Sequence, residues 1–282
     1  MLLIVILAFR VALFTGQGVW EYGKVALIQM FRFYNFSVDT VDASFINSSP
    51  LNAYDVLVIP GGWAVNYRRN INSAGISHIR SFVQNGGIYV GICAGAYFAS
   101  RTVVWEGRSY SYPLSLYSGA AIGPIDSIAP WPNYNMASIN LQDSTEWVLY
   151  YGGPYFSGGN FDTIAIYDAN NEPAIIEQNY GDGKVILSGV HPEIEEDSDR
   201  DSTNFASELP DSGSDWGWFI QILENALNSV SIEEKAIIST GKITIPDGEL
   251  FDITGRRIWG VPKTGFYLLR TGKNFRKILI VK

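Results

Sequence analysis

The chain has 282 residues, 47% of them hydrophobic and 14% aromatic, enough apolar mass for a sizeable core and too much for a disordered chain. Its net charge of −8 is uneven: nine Lys/Arg against three Asp/Glu from Lys242 onward give that tail +6, so residues 1–241 carry −14, which argues against sequence-independent nucleic-acid binding. One cysteine excludes an intramolecular disulfide, and no window has the length and apolarity of a membrane-spanning helix.

Residues 2–9 are an unbroken apolar run with no basic residue before it, open to two readings: a shortened export signal over residues 1–8, or the lead-in to the first strand. Arg10 to Phe14 reads as that strand and runs into a glycine-rich turn containing Gly16 and Gln17, either a ligand-facing loop at a strand end or a tight connection. Trp20, Leu27, Ile28 and Phe31 recur at helical spacing, predicting a helix over about 21–33. Ser37 to Val41 alternates as a second strand, and Tyr54 to Ile59 is an apolar third that ends in Pro60-Gly61-Gly62. Ile76, Ile79, Phe82 and Val83 mark a helix stopped by Asn85-Gly86-Gly87, with His78 on its polar side.

The stretch that follows, Gly87 to Ser100, carries the chemistry. Ile88 to Ile92 is a short buried-type strand and Ala94 to Ser100 a small-residue, helix-permissive run, which puts Cys93 at a strand-to-helix junction. Gly91 and Gly95, two residues to either side, suit a sharp elbow where side chains would clash with neighbouring backbone. The helix N-terminus favours a thiolate there. A base is still needed, because a free thiol is only a few per cent ionised at neutral pH. His191, just after the apolar strand Lys184 to Leu187, is the candidate, with Glu193 two residues on to hold its tautomer. Gly61 or Gly62, together with the Ala94 N–H, is the candidate oxyanion hole.

Between Val103 and Phe156 helical spacing gives way to short alternating runs, predicting a β-rich insertion or extension. Its aromatic residues, among them Trp131, Tyr134, Tyr150, Tyr151, Tyr155 and Phe156, either wall a substrate pocket or pack a second small core. Tyr97, Tyr151 and Tyr155, with Gly16 and Gln17, are the candidate pocket residues. After three further strands comes an acidic loop. Asp197, Asp199, Asp201 and Glu208 have the spacing of a calcium loop, but Ser202 stands at the glycine position and no helices flank it, so a solvated loop is the default and no metal is assigned. Trp216, Phe219, Ile220, Leu223 and Leu227 mark a closing amphipathic helix. Residues 229–241 read as a polar linker, and 242–282 as short strands around glycines.

Gly91-Ile-Cys-Ala-Gly95, Ile59-Pro-Gly-Gly62 and His191-Pro-Glu193, each after a strand and in this order, resemble the class I glutamine amidotransferase-like superfamily. Pro60-Gly-Gly, Gly91 to Phe98 and Tyr150-Tyr-Gly-Gly-Pro-Tyr-Phe156 are more closely similar to the N-terminal domain of eukaryotic biotin–protein ligases, over residues 9–228. Where the glutaminase pattern places Gln, this chain has Tyr97. Asp252-Ile-Thr-Gly-Arg256, Gly265-Phe-Tyr267 and the terminal Lys277 to Lys282 resemble the C-terminal sorting domain of type IX secretion.

The resemblance implies an α/β fold, a doubly wound, mostly parallel, flavodoxin-like sheet, with a β-rich insertion and a small C-terminal β-domain over 242–282. It implies a thiol hydrolase acting on a small-molecule or peptide amide through Cys93, His191 and Glu193, without a cofactor. The sorting resemblance implies bacterial export through the periplasm to the surface or medium, with secretion machinery as a partner. Two other readings compete: a binding module whose aromatic pocket takes a small ligand or glycan, and a redox or carbonyl-stress role that predicts sulfenic acid at Cys93.

Overall fold

The computed structural model describes residues 9–195, 199–210, 213–233, 237–238, 249–252, 256–258, 265–271 and 274–281. The chain divides into two compact units, one over Phe9–Glu224 and one containing Asn225–Lys282.

In the first unit the elements run β1 (Arg10–Phe14), α1 (Glu21–Phe33), β2 (Ser37–Val41), α2 (Ala43–Ser48), β3 (Val56–Ile59), α3 (Ala64–Asn70), α4 (Ser73–Gln84), β4 (Ile88–Ile92) and α5 (Ala94–Ala99). A run of strands follows: β5 (Ser100–Trp105), β6 (Arg108–Ser111), β7 (Tyr117–Gly123), β8 (Asn135–Asn140), β9 (Thr145–Tyr150), β10 (Tyr155–Ser157), β11 (Asp162–Tyr167), β12 (Pro173–Tyr180) and β13 (Gly183–Ser188). A short 3₁₀ turn at Asp199–Asp201 precedes α6 (Asp215–Glu233), which crosses the unit boundary.

Nine strands form one sheet in the order β2-β1-β3-β4-β13-β12-β11-β8-β9. The first five run parallel and the rest extend it antiparallel from β13. This is the expected doubly wound α/β architecture. The inner strands β1, β3, β4 and β13 are largely apolar because both of their faces are covered, whereas the edge strand β2 (Ser37–Val41) is polar and largely unburied. Ala12, Phe14, Leu57, Ile59, Tyr89, Val185 and Leu187 share one core with Ile46, Tyr67 and Ile79 of the helices. The alternating Val11, Leu13, Val58, Val90 and Ile186 are as deeply buried on the other face. Crossover helices between parallel strands place their connecting loops, and so the junctions after β1, β3, β4 and β13, at the strands' C-terminal edge.

The expected β-rich insertion divides in two. β5, β6, β7 and β10 form a separate four-stranded sheet, β10-β7-β5-β6, whereas β8 and β9 join the end of the main sheet. Two short helices, α2 and α3, have no periodic signature in the sequence; Asp42 caps the first by accepting from the Phe45 N–H at 2.8 Å. In the second unit, β14 (Ile237–Ile238), β15 (Glu249–Asp252), β16 (Gly265–Thr271) and β17 (Asn274–Val281) form a sheet in the order β14-β17-β16-β15. The suspected signal at residues 1–8 lies outside the described residues, as do 234–236 and 239–241 of the expected linker, whose residues 229–233 continue α6 and 237–238 form β14.

Candidate active site at the β4–α5 elbow

Cys93 sits between β4 and α5 with φ 48° and ψ −102°, a conformation that costs an L-residue strain and is held only where the surroundings fix it. What fixes it is contact on every side. A Cβ at Gly95 would stand 1.8 Å from the Ile59 carbonyl oxygen, and one at Gly91 would stand 2.7 Å from the Gly95 carbonyl. The Cys93 N–H donates to Ser188 O at 2.8 Å, while its own carbonyl accepts from Ala96 and Tyr97 at 3.0 Å. The elbow is thereby stitched to β13, the strand that delivers His191.

His191 and Glu193 follow that strand. The His191 N–H donates to Leu149 O at 2.8 Å, and its Nδ1 lies 2.9 Å from Glu193 Oε1, with both side chains sealed at 1% and 0% exposure. The imidazole lies edge-on to Trp20, ring centres 4.9 Å apart. Gly61 gives it clearance, because a Cβ there would stand 2.5 Å from His191 Cε1. Burial alone would drive protons off this ring; the Glu193 carboxylate and then the Cys93 sulfur outweigh it and push the His191 pKa from 6.5 up to about 10. The Nε2 atom of the ring makes no hydrogen bond among the described residues. The sulfur, 6% exposed as a residue, lies 3.5 Å from the Tyr151 carbonyl oxygen, to which a thiol can donate.

The candidate oxyanion donors lie at adjoining strand ends. Val19 and Gly62 form an isolated antiparallel bridge whose bonds come from its flanks, Trp20 N–H to Gly61 O at 2.9 Å and Trp63 N–H to Gly18 O at 2.8 Å. The bridge therefore leaves the Gly62 N–H outside its ladder. Gly62 has φ +140°, and a Cβ there would stand 2.1 Å from Gly18 O, so no side chain fits. Ala94 opens α5, where the first N–H groups have no helical acceptor.

Cys93, Ala94, Gly62 and His191 open onto one cavity of about 990 Å³, which Tyr97 and Tyr151 also line. Trp131 stacks on Tyr151 at 5.2 Å and 24°, while Trp63 and Trp105 meet Trp131 edge-on at 5.7 and 5.5 Å. Tyr97 fills the position of the glutaminase Gln; its hydroxyl donates to Gly152 O at 3.2 Å, and burial first, then Tyr150 and Cys93, keep it a neutral phenol.

Three expected pocket residues lie outside the lining. Gly16 is backed by the Phe14 ring, 2.4 Å from where its Cβ would stand; the Gln17 side chain accepts from Asn70 Nδ2 at 3.4 Å; and Tyr155 belongs to β10, in the second sheet. In their place the cavity draws Trp20, Trp63, Trp105, Arg68, Arg69 and Tyr112. Trp63 follows the glycine pair directly, which is the available sequence signal; the arginines, on a seven-residue helix, offer none.

Of the calcium-like loop, Asp197 lies outside the described residues. Glu208 accepts from the Tyr134 hydroxyl at 2.6 Å, and Asp201 accepts from the Glu195 and Thr203 N–H groups. No His/Cys/Asp/Glu group among the described residues is arranged to hold a metal ion.

The parallel sheet, the elbow and the strand-end loops make up a class I glutamine amidotransferase-like fold. A solved structure titled as a glutamine amidotransferase matches 65% of this chain and 90% of its own at a TM-score of 0.51 and 15% identity, a likeness of fold. Residues 9–125 match the family described as "Biotin-protein ligase, N terminal", and the chain belongs to that family. It is 30% identical over 207 residues to an uncharacterized protein of Chlamydia muridarum (strain MoPn / Nigg), covering 65% of this chain and 80% of that one. It is 27% identical over 213 residues to the biotin–protein ligase of Schizosaccharomyces pombe (strain 972 / ATCC 24843), covering 66% of this chain and 33% of the ligase. The chain thus matches only a third of that ligase's length.

Proposed function

We propose that this protein is a cysteine-dependent amidase or amidohydrolase. Cys93 attacks the amide carbonyl carbon, forming an S–C bond; His191, held by Glu193, passes a proton to the departing amine as the C–N bond breaks; water then hydrolyses the thioester with His191 as base. The Gly62 and Ala94 N–H groups are assigned to the oxyanion, with Gly61 reassigned to clearance for the imidazole. The observation that carries this reading is the buried His191 Nδ1 to Glu193 Oε1 contact of 2.9 Å beside a sulfur on a strained elbow. A well-solvated imidazole with no carboxylate would be a poorer proton carrier.

Alkylation by iodoacetamide between pH 5 and 10 tests it. Cys93 is expected to react at pH 6 about tenfold or more faster than free cysteine, and both His191→Ala and Glu193→Gln to reduce that advantage. A rate that tracks free cysteine and ignores both substitutions would overturn the proposal.

One observation favours a second reading, a ligand-binding module. Trp63 is 56% exposed although it lines the cavity, as a ring awaiting a flat ligand would be. Binding of a small amide or glycan with no turnover, unchanged in Cys93→Ser, would select this reading.

For cellular context we propose export, with the C-terminal module read by type IX secretion machinery; its sequence elements and its capacity for a small sheet support this. Appending residues 229–282 to a reporter in a bacterium that has the machinery, and finding no extracellular reporter, would sink it.

A further inference from the structure

The cavity's charge is out of character with the unit that holds it. Residues 1–241 carry −14, yet the Lys/Arg side chains that line the cavity are Arg68 and Arg69, both exposed, in the last turn of α3. The Arg68 guanidinium lies 5.2 Å from the ring centre of Tyr112, another lining residue, and both arginines act electrostatically on the Tyr112 phenol, which puts the two cations on one side of the cavity. Among the described residues neither arginine has a carboxylate within ion-pair distance. The carboxylate in the lining, Glu21, is engaged by Lys24 at 2.6 Å. Two unneutralised guanidinium groups at the mouth of an apolar, ring-walled cavity form a recognition site for an anion, and guanidinium matches a carboxylate with paired hydrogen bonds. The cavity, about 990 Å³, stands at the upper end of ligand-sized pockets, so it admits far more than a single amino acid side chain.

We propose that Arg68 and Arg69 select the substrate: an amide that carries a carboxylate and a flat apolar group, the carboxylate meeting the two guanidinium groups, the flat group the tryptophan wall, and the amide Cys93. This rests on the hydrolase reading above for what happens at the sulfur, but not for the binding itself. The arginines bind and orient; they do not touch the reacting atoms.

The test separates the two. Tryptophan emission of the Cys93→Ser protein, whose cavity includes Trp63, Trp105 and Trp131, is followed while titrating 4-acetamidobenzoate and, separately, its neutral analogue 4-acetamidobenzamide. The carboxylate is expected to bind about tenfold or more tighter, with the preference falling as salt rises. Arg68→Gln/Arg69→Gln is expected to abolish the preference, and Arg68→Lys/Arg69→Lys, which keeps the charge but loses the paired hydrogen bonds, to keep only part of it. Both arginines are exposed, so the variants are expected to fold; circular dichroism checks this, and the salt dependence of the unsubstituted pair stands if they do not. Equal affinity for the two compounds, binding of neither, or a preference that survives the Gln substitutions would overturn the proposal and leave the arginines as helix-end charges alone. In the protein with Cys93 intact, alkylation by 4-(iodoacetamido)benzoate against its carboxamide reads the same preference at the sulfur; fast but indiscriminate alkylation would spare the hydrolase reading while this one fell.

Discussion

Around Cys93 a single added methyl group has nowhere to go, whereas across the cavity Trp63, Trp105 and Trp131 meet one another only along ring edges, and Trp63 stands more than half in solvent. The Cys93 side is held by backbone against backbone: Gly95 on Ile59, Cys93 N–H on Ser188, Gly62 on Gly18. The opposite wall is held by side chains on side chains. Under the proposed hydrolase reading, chemistry falls to the side where displacement costs most and recognition to the side where rings can turn.

That contrast can be broken most severely at Gly95. Gly95→Ala must displace the Ile59 carbonyl or the whole of α5, an overpacking with no flexible group to yield, and is expected to cost about 3 kcal/mol or more, read as a large fall in Tm or loss of soluble protein. A Gly95→Ala protein as stable as the parent would show that the elbow has more room than its backbone contacts imply.

Next in size is the buried pair. The His191 pKa is raised from 6.5 to about 10, so the stability its proton contributes is full below about pH 6.5 and is lost as pH rises through about 10. Urea unfolding across pH 6–10.5 is expected to show wild type weakening over that window, and His191→Gln losing this component of the slope. A wild-type profile no steeper than that of the variant would contradict the raised pKa.

The smallest effect belongs to the wall. Trp63→Ala removes a ring that is largely exposed, so stability should change by less than about 1 kcal/mol, while affinity for a flat ligand falls several-fold. Destabilisation as large as that at Gly95 would erase the difference between the two sides.

The sequence reveals these sides unequally, for the same physical reason. β1, α1, β2, α4 and β4 announce themselves by period, and Gly91, Cys93, Gly95, His191 and Glu193 are legible because backbone constraint selects particular residue types at fixed offsets. A wall made of rings from distant loops has no offset. Trp20 reads as the start of α1, and Trp105 as the end of a strand; only the fold brings them to one cavity with Tyr112 and the arginines. Gly16, Gln17 and Tyr155 are plausible by type but lie outside the cavity lining, since residue type alone does not reveal which positions of a loop or a short strand face a cavity. The helices α2 and α3 are too short to show a hydrophobic period.

The indole of Trp216, in the first turn of α6, donates to the Glu193 backbone carbonyl at 2.8 Å. The loop bearing the acidic partner of the imidazole is therefore tied down by an element that comes more than twenty residues later in the chain. During synthesis the thiol emerges first, the imidazole nearly a hundred residues afterwards, and the latch last of all. A chain cut short before α6 would lack the hydrogen bond that ties the Glu193 loop to that helix.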